Sequence, residues 1–411
     1  MRVLCVFGQH NYGDPRRGEG YEYANFVPAL RRLGHDVLFL ESWDRTKYSD
    51  FASLNRRLLE LVEAERPDVV FSVMFTYEIW LETWELLRDS GITVTVNWTT
   101  DDSWKYACSS RFLAPAFHAF TTTYPSALAR YEKDGIRNVI LTQWAANAGA
   151  LRPPLPAARC RYPVSFIGTA HGERPRWIRE LRRRGLDVAC FGQGWPAGPL
   201  AGPEIADIIQ GSVISLNFSN ATRAWEGFRS RHIHQVKART FEVPGAGGFL
   251  LTQWANGLER YFVPDREIAV FHDVAELATK IRYFLANPSE RDAIAGAGFE
   301  RTRRHHLYDQ RLRKVLDFAL RRRESLEAGR GAPPQTGINW EAFERAVERH
   351  RRNRRLALVK ALLKAPCSLA WGPTRGERAA RRLLFEVSWR VAGAHTYSAA
   401  GWPGRLFYEV S

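Results

Sequence analysis

The chain writes one pattern twice, and that repetition limits its fold more than any other feature. An apolar run, RVLCVF (2–7), opens into a loop holding Gly8, Gly13, Gly18 and Gly20, followed by the helix-period segment YANFVPALRRLG and a second apolar run, DVLFLE. Strand-like and helix-period segments keep alternating: a helix over 51–65, a strand over 68–75, a helix near 78–89 and strands over 92–98 and 119–124. A helix over 126–134 and a strand over 138–144 close the unit. Between 149 and 163 stand Pro153, Pro154, Pro156 and Pro163, the composition of a linker. The alternation then restarts with VSFIGT (164–169), the helix WIRELRRRG, and strands over 186–192 and 212–219. A helix over 233–246, the strand 248–252, the short segment 267–271 and helices from about 274 to 326 complete it. Consecutive strands separated by helices must be joined by crossovers, so the fold class is α/β with two doubly wound parallel sheets. The expected boundaries are 1–150, 160–328 and a helical extension over 332–411. In such sheets ligands bind beyond the carboxyl ends of the strands, so the expected site is a cleft faced by both domains.

At 411 residues the chain exceeds one ordinary domain, and 45% apolar residues suffice to fill two cores. Its net charge of +15 resembles that of a nucleic-acid binder until it is located. Residues 301–411 hold 24 Lys/Arg against 10 Asp/Glu, which leaves the preceding α/β body near neutrality. With no aromatic–basic RNA-binding motif and no zinc module, nucleic acid is not an expected partner. Cys5, Cys108, Cys160, Cys190 and Cys367 are odd in number and never paired as CxxC, which points to a reducing compartment and to neither a disulfide framework nor a metal site. No stretch reaches the ~20 apolar residues of a membrane span, and the first residues lack a leader's basic and apolar regions. The chain is therefore expected to be cytoplasmic.

The segment most suited to chemistry is QVKARTFEVPGAGGFLLT (235–252). A helix opening with Lys237 and Arg239 would offer two cations and unpaired backbone N–H groups, the surroundings a diphosphate requires. Glu242, five positions after Lys237, could accept from the vicinal hydroxyls of a ribose. Gly247 and Gly248 would let the backbone turn tightly into the next strand. An amphipathic surface helix with a glycine cap would look the same. The turn Gly168-Thr169-Ala170-His171-Gly172 ends a strand and could hold a phosphate or sugar on its amides, with Arg174 adding charge; a plain strand–helix connection is the alternative.

On the first domain, Asp101 and Asp102 end the strand VTVNW. Adjacent carboxylates repel, so one could carry a raised pKa and act as general base toward an acceptor hydroxyl. A helix N-cap is the competing fate. The order Thr-Asp-Asp lacks the Asp-x-Asp of a metal-binding motif, and no metal is expected. His10 follows the first strand and is a further candidate base. Glu22 could touch the acceptor or cap the first helix.

The run K-x-R-x-F-E-x-P-x-x-G-G-F-L-L-T, followed by E-I-x-x-F and by Arg291, Ile294, Ala295 and Gly298 leading to His305 and Arg311, resembles the CgeB-like, spore-maturation-type glycosyltransferase family 1 domain. VSFIGTAHGERPRWIRELRRRGLDVACFGQGW (164–195), ISLNFS (214–219), NWTTDDSW (97–104) and YEKDGIRNVILTQWAAN (131–147) add to the likeness, which covers residues 1–320. The resemblance implies a GT-B fold of two Rossmann-like domains and sugar transfer from a nucleotide-sugar donor held mainly by the second. It sets Lys237 and Arg239 near the donor diphosphate and Glu242 near the ribose, and it adds Asn217 and His234 to the donor-side candidates. The larger retaining group pairs two glutamates eight positions apart; here Glu226-Gly227-Phe228 stands 16 residues before Glu242, and His234 occupies the eighth position.

No cofactor beyond the nucleotide-sugar co-substrate is expected, and the acceptor is a glycan, a lipid-linked saccharide or a small molecule. A same-fold epimerase and a basic scaffold are the alternatives. The extension reads as a basic helix over 340–364 and another over 377–391. It could be a solvated face, or pack back across the first domain. It could also bring Leu356, Val359, Leu362 and Leu363 to an anionic membrane surface on the cytoplasmic side.

Overall fold

The structure, a computed structural model, describes residues 1–221, 233–329, 337–351 and 354–408. They form two compact units, Met1–Thr142 with Arg313–Ser411, and Gln143–Leu312.

The first unit is built on a six-stranded parallel sheet of β1 (Arg2–Phe7), β2 (Asp36–Glu41), β3 (Val69–Ser72), β4 (Val94–Asn97), β5 (Ala119–Thr122) and β6 (Val139–Leu141), ordered β2-β1-β3-β4-β5-β6. β1, β3, β4 and β5 are buried almost throughout, the mark of strands covered on both faces. The helix Phe51–Glu65 begins where the sequence predicts, because Asp50 caps it: its carboxylate accepts from Ser53 N at 2.8 Å while Ser53 Oγ accepts from Asp50 N at 3.2 Å.

The extension belongs to this unit. Its predicted 340–364 helix is two helices, Trp340–His350 and Arg354–Trp371. The first sits on the unit's core, with Phe343 and Ala346 fully buried and Phe343 stacked on Trp80 at 6.1 Å. Burial of one such ring contributes about 2–3 kcal/mol. Farther on, Tyr408 packs edge-on against Phe51 and donates its hydroxyl to the carbonyls of Arg45 and Tyr48 at 2.8 and 2.7 Å. Basic composition therefore conceals an apolar face that completes the first core.

The second unit carries a five-stranded parallel sheet of β7 (Tyr162–Ile167), β8 (Ala189–Phe191), β9 (Ser212–Asn217), β10 (Leu250–Gln253) and β11 (Ala269–Phe271), ordered β11-β10-β9-β7-β8. Arg291 is fully buried and pins the linker to the amino end of β9, donating to the carbonyls of Leu155, Ser212 and Val213 at 2.8, 2.8 and 2.6 Å. That role is structural. In both sheets the chain reverses direction beside the first strand, placing switch points between β1 and β3 and between β7 and β9.

Candidate functional site

At the second unit's switch point, β7 runs into Gly168 and a turn that reaches the helix Arg174–Arg183. Gly192 presses against this turn: any Cβ on it would lie 2.5 Å from the Gly168 carbonyl oxygen, which also accepts from Trp195 Nε1 at 2.7 Å. The turn is thereby held rigid from behind. Thr169 and His171 are exposed on it. Half-buried Arg174 donates to the Thr169 carbonyl at 3.0 Å and lies over the Phe166 ring at 5.6 Å. Among the described residues no carboxylate pairs with it. Burial lowers its pKa, and the nearby charge of Arg239 lowers it further. Two guanidinium groups held this close at a strand end form a natural seat for an anion.

Arg239 donates Nε to the Ile167 carbonyl, the last of β7, at 3.3 Å, and pairs through Nη1 with Glu242 at 2.5 Å. The helix carrying both covers only Arg239–Gly245, not 233–246. The preceding residues are non-helical because His234 bridges Asn220 in antiparallel fashion and its Nδ1 meets Ser219 Oγ at 2.8 Å. Lys237 consequently stands half-buried just ahead of the helix instead of in its first turn. A recess at this switch point is lined by His171, Gly172, Glu173, Arg174, Trp177, Phe218, Asn220 and Gln253. Trp177, Phe218, Asn220 and Gln253 were not singled out from sequence; their common signal is position, each lying at the carboxyl end of a strand, just past one or in the first turns after one.

Three expected donor contacts are structural instead. Asn217 is buried, and its amide is directed to the hydroxyls of Thr252 (2.9 Å) and Thr240 (3.5 Å), tying β9 to its neighbours. Gly247, at φ 75°, faces the linker, where a Cβ would meet the carbonyl oxygens of Arg152 and Pro153 at 2.6 and 2.8 Å. Gly248 is closed in by Ile209 and Val243. Both glycines serve close packing, not a ligand. The motif Glu226-Gly227-Phe228 lies outside the described residues.

In the first unit the paired aspartates have different fates. Asp102 is fully buried: Ser110 Oγ donates to one oxygen at 2.5 Å and the Tyr131 hydroxyl to the other at 2.9 Å. Burial raises its pKa to about 6 against these hydroxyls. A carboxylate so enclosed meets no acceptor, which removes Asp102 from the candidate bases. Asp101 adopts the left-handed conformation, φ 62°, immediately after the loop from β4, and makes no side-chain cap. Partly exposed Glu22, in the first turn of the helix Tyr21–Arg32, has its pKa raised by burial, countered by the charge of Lys105 and reinforced by Asp101. The loop after β1 makes this possible: Gly20 N donates to the Gln9 carbonyl at 2.7 Å, returning the chain to the end of β1. His10, half-buried, bridges Glu19 in the same loop. Thus His10, Glu22 and Asp101 lie toward the carboxyl end of this sheet, and both Glu22 and Asp102 have raised pKa values, but only Glu22 keeps some exposure. Among the described residues no cluster of three or more His, Cys, Asp or Glu is placed to hold a metal ion.

Two doubly wound parallel sheets in succession are the architecture of the GT-B fold. The chain's relatives agree. Residues 174–317 match the model of the Glycosyl transferase-like family. A sucrose-phosphate synthase from Thermosynechococcus elongatus aligns with 12% identity and a TM-score of 0.54, over 80% of this chain and 100% of that one. A glycosyltransferase from Rickettsia africae aligns at 11% and 0.53, over 78% and 98%. AviGT4, a glycosyltransferase involved in avilamycin A biosynthesis, aligns at 13% and 0.52, over 79% and 98%. At such identities the likeness is one of fold. No curated protein matches the sequence.

Proposed function

We propose that the chain is a CgeB-like glycosyltransferase that moves a sugar from a nucleotide-sugar donor to an acceptor hydroxyl without a metal ion. The observation that carries this reading is the half-buried Arg174, without a carboxylate partner among the described residues, beside Arg239 at the β7–β9 switch point. As the bond to the leaving diphosphate breaks, negative charge grows on the phosphates, and preorganised cations stabilise that charge more than they stabilise the bound donor. Lys237 adds a third cation, Glu242 orients Arg239 and accepts from the ribose, and the 168–172 turn contacts donor oxygens. On the acceptor side Glu22, kept basic by burial, takes the hydroxyl proton, with Asp101 and His10 beside it.

The acceptor is a glycan, a lipid-linked saccharide or a small molecule, within cell-surface, spore or secondary-metabolite glycan synthesis. Five cysteines, none of them in a disulfide, favour work in the reducing cytoplasm. A thermal-shift screen against UDP-, GDP-, CDP- and dTDP-sugars, followed by assay of nucleotide release with candidate acceptors, tests the reading. Stabilisation by one nucleotide class and its loss in Arg239→Ala are expected. The absence of any shift across all four classes would overturn it.

A further inference from the structure

The helix Arg354–Trp371 and the helix Pro373–Ala392 form a hairpin turned at Gly372, φ 78°. Its first arm carries leucines on two opposite sides. Leu356 and Leu363 pack inward with buried Cys367 against Leu384, Leu406 and Phe407. The opposite side holds Leu358, Leu362 and Leu369, spaced to lie within one narrow stripe and 66%, 73% and 89% exposed. Val359, Ala361, Ala365 and Pro366 fill the other exposed positions between them. The arm's two lysines are drawn away from this stripe, Lys360 and Lys364 both pairing with Glu377 of the second arm at 3.5 and 3.0 Å. A helix with apolar residues on two opposite sides is ordinarily covered on both, and this one is covered on one only.

Charge says what covers it. Residues 354–392 contain nine Lys/Arg against two glutamates. Those two are spent: Glu377 on the lysines and Glu386, buried, on Arg390 at 2.6 Å. The second arm exposes Arg375 and Arg378, neither paired with a carboxylate among the described residues, and farther along it exposes Leu383, Val387 and Val391. Trp371, 59% exposed, sits at the hairpin tip. Aliphatic side chains flanked by arginines, with an indole at the end and no unpaired acid, match an anionic lipid surface: hydrocarbon takes the aliphatics, headgroups the guanidinium groups and the interface the tryptophan. A protein partner of ordinary composition would not call for so uniform a sign. No described helix is long and apolar enough to cross a membrane, so the hairpin lies along the surface.

We infer that this hairpin is a docking surface for anionic membranes, with Leu358, Leu362, Leu369 and Trp371 entering the headgroup boundary and Arg375 and Arg378 binding lipid phosphates. The inference stands apart from the transfer chemistry, because none of these residues belongs to the donor or acceptor site.

Vesicle co-sedimentation of the full chain tests it, using phosphatidylcholine alone and phosphatidylcholine with phosphatidylglycerol. Binding confined to the anionic vesicles is expected, with a loss of tenfold or more in Leu362→Glu/Leu369→Glu, whose exposed sites leave the fold intact. Removing Arg375 or Arg378 should cost about fivefold each. Equal binding to both vesicle types, or undiminished binding by the double variant, would overturn the inference. So would a dimer in sedimentation velocity that the double variant dissociates while the wild type ignores vesicles. Nucleotide-sugar thermal shifts should be the same in both proteins, which separates a failure here from a failure of the transferase reading.

Discussion

The two sheets share a topology and differ in the sign of the charge at their carboxyl ends. Beyond β7 and β9 stand Arg174, Arg239 and Lys237; beyond β1 and β4 stand Glu22, Asp101 and buried Asp102, with Lys105 among them. Topology chooses where a site forms, because the switch point opens a crevice in either sheet. Side chains choose what enters it. On the proposed transferase reading, the cationic end would hold a leaving diphosphate and the carboxylate-rich end would take the acceptor's proton.

The comparison breaks most sharply at the cationic end. Arg239→Ala, leaving Glu242 unpaired, should lower transfer on the order of 10³-fold and weaken nucleotide binding while thermal stability holds. Turnover at the wild-type rate would show that the arginine pair is not the donor seat. At the carboxylate end, Glu22→Gln should lower kcat about 10²-fold yet leave nucleotide affinity unchanged. Equal losses in both quantities would assign Glu22 to the donor instead.

A smaller difference concerns pH. His306 is buried, its Nε2 meeting the Tyr261 carbonyl at 2.7 Å and its Nδ1 meeting Arg311 at 2.9 Å; burial lowers its pKa from 6.5 to about 4. A histidine held neutral stabilises the fold fully above the unfolded pKa, and that stability is lost as pH falls from 6.5 toward 4. Between pH 7 and 5 the second unit should lose about 2 kcal/mol. Asp102 has the opposite sign. Its folded pKa of about 6 exceeds the ordinary 3.8, so its penalty appears as pH rises through this interval, and the first unit should gain about 1 kcal/mol between pH 7 and 5. Hydrogen exchange resolved by unit measures both slopes; slopes of equal sign would refute the pairing. Smallest of all, Asp102→Asn should change kcat less than threefold, since the carboxylate is structural. A hundredfold loss would return it to the catalytic list.

Much of this was legible beforehand. The 51–65 helix appears with the predicted limits, because its cap and its apolar period agree locally. Each predicted strand is present: β1 and β2 keep their limits, β7 is displaced two residues toward the amino end, β10 ends one residue later than expected, and most of the others are trimmed by a few residues. The 233–246 helix was misread for the opposite reason: QVKARTFEV has a helical period, but the bridge between His234 and Asn220 claims its first residues for an extended path. Gly247 and Gly248 were misassigned because glycine marks close approach without saying whether linker backbone or ligand is what approaches. The tail's leucines show the same limit. Leu356 and Leu363, expected to face a membrane, turn inward, and Leu358 and Leu369 turn out.

The sequence by itself determined the repeated strand–helix order, and hence two parallel sheets and the strand ends at which ligands can lie, because these follow from local periodicity and chain connectivity. Only the tertiary structure decided which of two neighbouring aspartates is buried, which arginines stand together and which side of a leucine-rich helix stays bare. Each of those outcomes depends on contacts between residues far apart in the chain, and no local pattern encodes them.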